Sequence, residues 1–497
     1  MAKYKPVEKG QGYFLSINPE AIFEENSIEK CISKFIDDFI DTSSFDKKYK
    51  NDYVGQKAIC PSVKLKVILY GLSHGIESMR KMEKMLNLNH PGFLYLSGGR
   101  TIDYSTLCNF IKDFQDEIAG IFSRLLYILD ELNLIDWRRI MIDGTKISSN
   151  ADKELTDNAS GFEKKLKRYE NLSAKLLARA RHLSEIKDKN ELTEEELKKE
   201  NELIERQQKK YDQIINKIKF YEEELRAEKI SPETKVNLTD KDSKVLKKDE
   251  GFIQGYNVQA AFSDNDILLS IEATSRENDM SFLSTMIEGI EELKESGGVN
   301  CESKYLADKG YFNISQMSEL IQEGKDLYIA PPVHFTDSWF INEEHQVLKE
   351  EDGVYLLCQG KRRKKGYLKK SDNSYEFTFS REFCADCENY STCWKGRDNK
   401  KTRVFSVLKV YVDNKELWFN YRDRIKSEEW RYTYNRRIGK EHNFFDLKSN
   451  NGLSRLNWRG RDNCNTISVM AGIIYNLKKF QKAVISMGWV GIKTAIA

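Results

Sequence analysis

Twice the chain runs a short apolar segment into an aspartate with a glycine one or two residues beyond it: Arg139-Ile-Met-Ile-Asp143-Gly144 and Lys304-Tyr-Leu-Ala-Asp308-Lys-Gly310. Such runs read as buried strands, and the glycine lets the chain turn sharply where the carboxylate emerges. Between them lie Gly255-Tyr-Asn-Val-Gln-Ala-Ala-Phe262 and Ile267-Leu-Leu-Ser-Ile-Glu-Ala-Thr274, joined by Ser263-Asp-Asn-Asp266, which predicts a strand hairpin closed by a tight turn. A helix-period segment from Phe282 to Leu293 follows. Strand with Asp, hairpin, helix, strand with Asp is an α/β order, and it delivers two carboxylates to strand ends.

The flanking stretches are helical. Apolar residues recur at helical spacing from Ile28 to Ile36 and from Val63 to Leu72. Pro61 with Ser62 marks one helix start, and Asp103-Tyr-Ser-Thr-Leu107 marks another. Periodicity alone leaves open whether residues 1–135 are a packing domain or a DNA-binding one. Residues 162–229 are dense in Lys and Glu, with Phe162, Leu166, Tyr169, Leu172 and Leu176 at three- and four-residue steps. The pattern lapses near Lys187–Glu191, restarts at the capping box Thr193-Glu-Glu-Glu196 and continues through Leu203, Ile204, Ile214, Ile215, Ile218 and Leu225. This predicts an inserted antiparallel helical hairpin of coiled-coil type, its mixed charge a solvated face. Residues 337–400 read as a polar, irregular insertion, and from about residue 416 the chain is helical again, ending in an apolar helix around Ile467–Leu477. The expected domains are 1–135 and 136–485, the latter interrupted at 160–232 and 337–400, with a tail at 486–497.

Eighty basic residues nearly cancel 78 acidic ones over 497 residues, so a nucleic-acid role cannot rest on the net charge of +2 and needs local basic patches. The opening MAKYKPVEKGQGYF has no apolar run of signal-peptide type, and no stretch reaches the ~18 apolar residues of a membrane span. The expectation is a cytoplasmic protein without a membrane partner. In a reducing compartment the nine cysteines are thiols or metal ligands.

Near the C-terminus, Tyr434-x2-Arg437-x3-Glu441-x6-Lys448 places four polar residues on one stripe of a helix, with Arg437 and Glu441 one turn apart. A carboxylate flanked by two cations and a phenol suits a metal–phosphate site. Ile438 and Phe445 border the stripe while Arg436 and Asn443 fall on the far side, so the stripe is expected to face a cleft. Spacing alone fits a surface ion-pair row as well. Here the residues resemble the Y-x2-R-x3-E-x6-K signature of DDE-type transposases from bacterial insertion sequences, with every signature position filled. Asp143-Gly-Thr-Lys resembles the first catalytic Asp of that family and Ala307-Asp308-Lys-Gly-Tyr311 the second. The blocks Pro61–Gly71, Ser78-Met-Arg80-Lys-Met-Glu83, Asn237-Leu-Thr-Asp-Lys-Asp242 and Gly255–Gln259 are also similar to family segments.

The resemblance implies a ribonuclease H-like mixed sheet flanked by helices, with an all-α N-terminal domain that binds DNA ends. It implies that Asp143, Asp308 and Glu441 are catalytic and hold two Mg²⁺ ions, for which Mn²⁺ substitutes. Such a site hydrolyses the phosphodiester at each element end and then uses the freed 3′-hydroxyl to attack target DNA by transesterification. The implied partners are double-stranded DNA, as terminal inverted repeats and as target, and a second copy of the chain in a homodimer. The implied location is the bacterial cytoplasm, at the nucleoid. Arg437 and Lys448 are candidates for phosphate contact, and Tyr434 for ordering the flanking strand. Cys384-x2-Cys387-x5-Cys393 with Cys358 leaves a structural Zn²⁺ site and free thiols both open; the other five cysteines read as core residues. The run Lys361, Arg362, Arg363, Lys364, Lys365 is either a phosphate-contacting segment or a solvated loop. Two alternatives compete with transposition: a ribonuclease H-like DNA nuclease without strand transfer, and a transposase-derived DNA-binding regulator.

Overall fold

The computed structural model describes residues 18–49, 57–188, 193–227, 229–248, 251–332, 346–358, 360–395 and 399–496. The opening 17 residues, the end of the expected lapse near Lys187–Glu191 and the expected start of the insertion at 337 lie outside the described residues. The chain divides into two compact units, one of Met1–Asp136, His442–Ser454 and Thr466–Ala497, the other of Trp137–Glu441 and Arg455–Asn465.

The first unit is helical. Its main helices in the N-terminal part are α1 (Ile28–Phe39), α2 (Pro61–Ser73), α3 (Met79–Asn87), α4 (Pro91–Ser97), α5 (Tyr104–Asp113) and α6 (Gln115–Glu131). Local chemistry sets their starts. Ser27 accepts from the Lys30 N–H, Pro61 occupies the first turn of α2, and Asp103 accepts from the Thr106 N–H. Leu65, Val67, Ile68, Leu69 and Leu72 bury α2 nearly all round, which makes it the central helix. Cys31, Ile32, Phe35 and Ile36 of α1 join this core, and Phe35 meets Phe480 edge-on with ring centroids 6.0 Å apart.

The second unit is built on a six-stranded mixed sheet. Its elements in chain order are β1 (Arg139–Ser148), α7 (Ala159–Asp188), α8 (Glu194–Arg226), β2 (Lys244–Lys248), β3 (Gly251–Ser263), β4 (Leu268–Thr274), α9 (Leu283–Ser296), β5 (Lys304–Ala307), α10 (Ile314–Gln322) and β6 (Asp326–Ile329). The strand order is β2-β3-β1-β5-β6, with β4 also paired to β3. β3 runs antiparallel to β1, β2 and β4, whereas β1, β5 and β6 are mutually parallel. The parallel pair β5 and β6 is spanned by α10, as a parallel crossover requires. The β3–β4 turn closes where expected: the Ser263 N–H donates to the Ile267 carbonyl, and Asp266 takes a left-handed φ of 66°.

Along α7 and α8, Phe162 meets Tyr221, Tyr169 meets Tyr211, Ser173 meets Gln208 and Arg179 meets Glu200. Their packed residues include Phe162, Tyr169, Ile214, Ile215, Ile218 and Tyr221, and Thr193 with Glu196 forms the expected capping box. The stretch 337–400 after β6 is expected to be irregular; its described part contains five strands. β7 (Gln346–Glu350), β8 (Gly353–Leu357) and β9 (Arg363–Lys365) form one small sheet. β10 (Tyr367–Lys369), β11 (Ser374–Ser380) and β12 (Thr402–Leu408) form another. Phe377, Phe379, Phe405 and Val407 are buried at alternate positions, a period-2 pattern masked by the polar residues between them. The helices α11 (Lys415–Ile425), α12 (Glu428–Asn435), α13 (Glu441–Asn450) and α14 (Arg461–Ile496) complete the chain. Among the described residues no helix is long and apolar enough to cross a membrane.

Candidate active site

Ile140, Met141 and Ile142 are buried in β1, the strand flanked by β3 on one side and β5 on the other. The parallel ladder to β5 ends at the pair Ile142 and Ala307. The next residue on each strand is an aspartate, so sheet register sets Asp143 beside Asp308. Asp308 sits at the strand end, as expected, and caps a short 3-10 turn by accepting from the Gly310 N–H at 2.7 Å. Asp143 does not. β1 continues through it to Ser148, paired with β3 at Asp143↔Ala260 and beyond. The carboxylate therefore leaves mid-strand, at the point where the parallel neighbour stops.

Burial pushes the Asp143 carboxyl up to about 6. The Gly144 N–H opposes this by donating to Asp143 at 2.8 Å, Asp308 raises it, Arg437 lowers it and Asp279 raises it. Three charges thus act on Asp143, and the residue that carries one of them, Asp279, was not singled out in the sequence. Asp279 lies beyond β4, and its Oδ1 accepts from Asn257 Nδ2 at 2.7 Å and Gln259 Nε2 at 2.6 Å. The buried Tyr311 donates its hydroxyl to Gln259 Oε1, and burial holds that phenol well above its usual pKa. The available signal was the pair Asn257 and Gln259: two amides on one face of an apolar strand need a buried polar partner.

The C-terminal stripe is not one helix. α12 ends at Asn435, residues 436–440 form turns, and Gly439 has a φ of 92°, so α13 begins afresh at Glu441. A seven-residue separation keeps two residues in line only while the helix is continuous. Ile438 and Phe445 are 70% and 67% exposed and Asn443 is fully buried, the reverse of the expected facing. Tyr434 and Arg437 nonetheless belong to the site's neighbourhood. Tyr434 stacks on Trp430 at 4.8 Å, and Trp430 stacks on Tyr328 at 5.9 Å; with Met141 and Leu306 these fasten α12 to β1, β5 and β6. The Arg437 guanidinium lies 5.4 Å from the Tyr434 ring, and its Nε is buried without a hydrogen-bond partner. Lys440 ties the same turn to Asp266 at 2.6 Å. Glu441 itself is exposed at the start of α13, and it is not one of the principal charges acting on Asp143. Lys448 falls in the other unit.

The donor set suits a hard divalent cation: carboxylate oxygens from Asp143 and Asp308, with an orphaned guanidinium N–H for an oxyanion nearby. Among the described residues no group of three or more His, Cys, Asp or Glu is arranged to hold a metal ion.

Cys358, Cys384, Cys387 and Cys393 line one cavity of about 20 Å³, room for a single small atom or ion. Arg403 Nη1 donates to Cys393 Sγ, and burial raises the Cys384 thiol, with a further contribution from the other three. Cys31 and Cys464 are buried as expected, Cys108 and Cys301 are half-buried, and Cys60 is exposed. The basic run is the edge strand β9 with its approach, not a loop: Arg363 pairs with Glu350, and Lys365 with Asp352 at 3.5 Å.

Comparison with known families gives two matches. Residues 18–113 match a family described as transposase domain (DUF772), and residues 357–481 match one described as transposase DDE domain. The second span includes the cysteines, Tyr434, Arg437 and Glu441; neither span includes Asp143 or Asp308. No curated protein matches the chain.

Proposed function

Because the chain belongs to the DDE-type transposases of insertion sequences, we propose that it cuts DNA at the ends of its element and joins the freed 3′-hydroxyls to target DNA in a single site. The observation that carries this reading is the register of β1 and β5, which sets Asp143 beside Asp308 within reach of the Arg437 charge. The strand order, three antiparallel neighbours of β3 and then two parallel partners beyond β1, supports a ribonuclease H-like core. The helical pair α7 and α8 is then an inserted hairpin in that core.

Asp143 and Asp308 would hold Mg²⁺, with Glu441 completing the set from the first turn of α13. Bound there, the metal supplies charge stabilisation to the phosphoryl group and lowers the pKa of the attacking water or 3′-hydroxyl. Arg437 neutralises a phosphate oxygen through the N–H that the folded chain leaves without a partner. Tyr434, locked by stacking on Trp430, orients that guanidinium, and Lys448 is a further candidate for phosphate contact. No protein nucleophile is needed. Two copies of the chain would serve the two element ends. Cys358, Cys384, Cys387 and Cys393, which line one cavity, are proposed to hold a structural Zn²⁺.

The deciding experiment incubates the protein with Mg²⁺, an element-end duplex and a supercoiled plasmid. Joined product is expected, and cleavage without joining would leave only a nuclease. Asp143→Asn and Asp308→Asn are expected to lower cleavage at least about 10³-fold, as loss of an essential catalytic group does, while end binding persists.

A further inference from the structure

We propose that α5 reads the element-end duplex in its major groove, with Asn109 as the base-reading residue, while α3 holds that duplex by its phosphates. This rests on the reading that the chain acts at the ends of its element, and it names the surface that recognises them. α5 has two distinct sides. Leu107, Phe110 and Ile111 are buried in the core of the first unit. The other side presents Tyr104, Ser105, Asn109 and Lys112, all exposed, which share less than half of the circumference at 3.6 residues per turn. The only acid of α5 is Asp113, its last residue. Ser105 donates its hydroxyl to Asp103, which caps the helix, so that hydroxyl is committed to the cap. The Asn109 side chain has no hydrogen-bond partner among the described residues. Its amide offers a donor and an acceptor side by side, the complement of the major-groove edge of adenine.

α3 packs against α5 and supplies the charge. Arg80, Lys81 and Lys84 are exposed on one side of it, at three- and four-residue steps. Like charges at these spacings repel, and neither Lys81 nor Lys84 has an ion pair among the described residues. Glu83, the one acid of α3, is half-buried. The two helices share one face. The Arg80 guanidinium lies 4.4 Å from the centre of the Tyr104 ring. Burial raises the Cys108 thiol, and Lys112 from α5 and Arg80 from α3 both oppose it. The acids Asp41, Asp116 and Glu117 line a cavity to which neither α3 nor α5 contributes. A cationic stripe beside a helix face rich in hydrogen-bonding groups has the make-up that duplex DNA requires. Phosphate contacts fix position, and base-edge contacts carry sequence. A helix with its side chains is about 10–12 Å across, and the major groove is about 12 Å wide.

The test is binding of the full chain, without divalent metal, to an element-end duplex and to a scrambled duplex of equal length, read by fluorescence anisotropy through a salt series. Asn109→Ala is expected to cut the preference for the end duplex about ten-fold and to leave the salt slope unchanged. Lys81→Gln with Lys84→Gln is expected to weaken binding to both duplexes alike and to lower the slope of log affinity against log salt by about 2. All three positions are exposed, and alanine is a better helix former than asparagine, so the folded state is retained in both variants. Full preference in Asn109→Ala would overturn α5 as the reading helix. An unchanged slope in the lysine variant would overturn α3 as the helix that holds the phosphates. A native protein that joins ends yet binds both duplexes equally would overturn this surface and leave the proposed function standing. Preference for the end duplex that both variants alter as stated, with no joined product from the native protein, would instead overturn the proposed function and leave the surface standing.

Discussion

Glu291 of α9 stands among Lys294 at 2.8 Å, Lys325 and the hydroxyl of Tyr305. Burial works against its ionisation, yet these three donors hold its carboxyl down to about 2. A depressed carboxylate contributes stability that is present above its unfolded pKa and lost as pH falls towards the folded value. Glu291→Gln is therefore expected to cost about 2 kcal/mol at pH 7, a figure reduced for the partial exposure of the group. The gap to the native protein should narrow as pH falls from about 4.5 towards 2, read as urea unfolding free energies across that window. A constant gap at every pH would mean that lost packing, and not charge, sets the effect. At this same scale the placing of Asp143 and Asp308 on neighbouring strands was readable, because each aspartate follows its own apolar run. Asp279 was not. It lies 20 and 22 residues from the amides that hold it, a distance over which nothing local in the sequence signals contact.

Elements were legible where their signals are local. The helix starts at Pro61, Asp103 and Thr193 and the turn at Ser263–Asp266 depend on residues within a few positions, and each appears in the structure. The stripe from Tyr434 to Lys448 failed because it assumed one unbroken helix across Gly439, whose left-handed φ ends that geometry. The insertion was misjudged for a different reason: β11 and β12 pair residues nearly thirty positions apart, as at Phe377↔Phe405, and only that pairing makes their alternation a core. Gly255 shows a constraint that belongs to the strand. It pairs with Ser148 of β1 and Lys244 of β2, and a Cβ there would lie 1.9 Å from the Ile147 carbonyl oxygen. Backbone cannot retreat as a flexible side chain can. Gly255→Ala is thus expected to destabilise the protein by about 2–4 kcal/mol. Gly289→Ala, in α9 with open space around it, should be neutral or slightly stabilising. Equal unfolding midpoints for the two variants would show that β1 and β3 can separate at that point without cost.

For the whole molecule, a net charge of +2 leaves DNA binding to local patches, and the structure distinguishes cations that are already compensated from those that are not. Within the basic run, Arg363 and Lys365 face Glu350 and Asp352 across a small sheet, so their charge is largely spent on the protein itself. Lys361 and Lys364 are exposed and have no ion pair among the described residues. Each phosphate contact releases condensed counterions and adds about 0.9 to the slope of log affinity against log salt. Lys361→Gln with Lys364→Gln is accordingly expected to lower that slope by about 2, measured by fluorescence anisotropy on an element-end duplex through a salt series. Arg363→Gln with Lys365→Gln should lower it by distinctly less, because releasing Glu350 and Asp352 changes charge on the protein and not at the phosphates. An unchanged slope in the first variant would place the run away from DNA and make it a solvated sheet edge. Equal loss in both would mean that the ion pairs open on binding, and that all the cations of β9 are available to the backbone of the DNA.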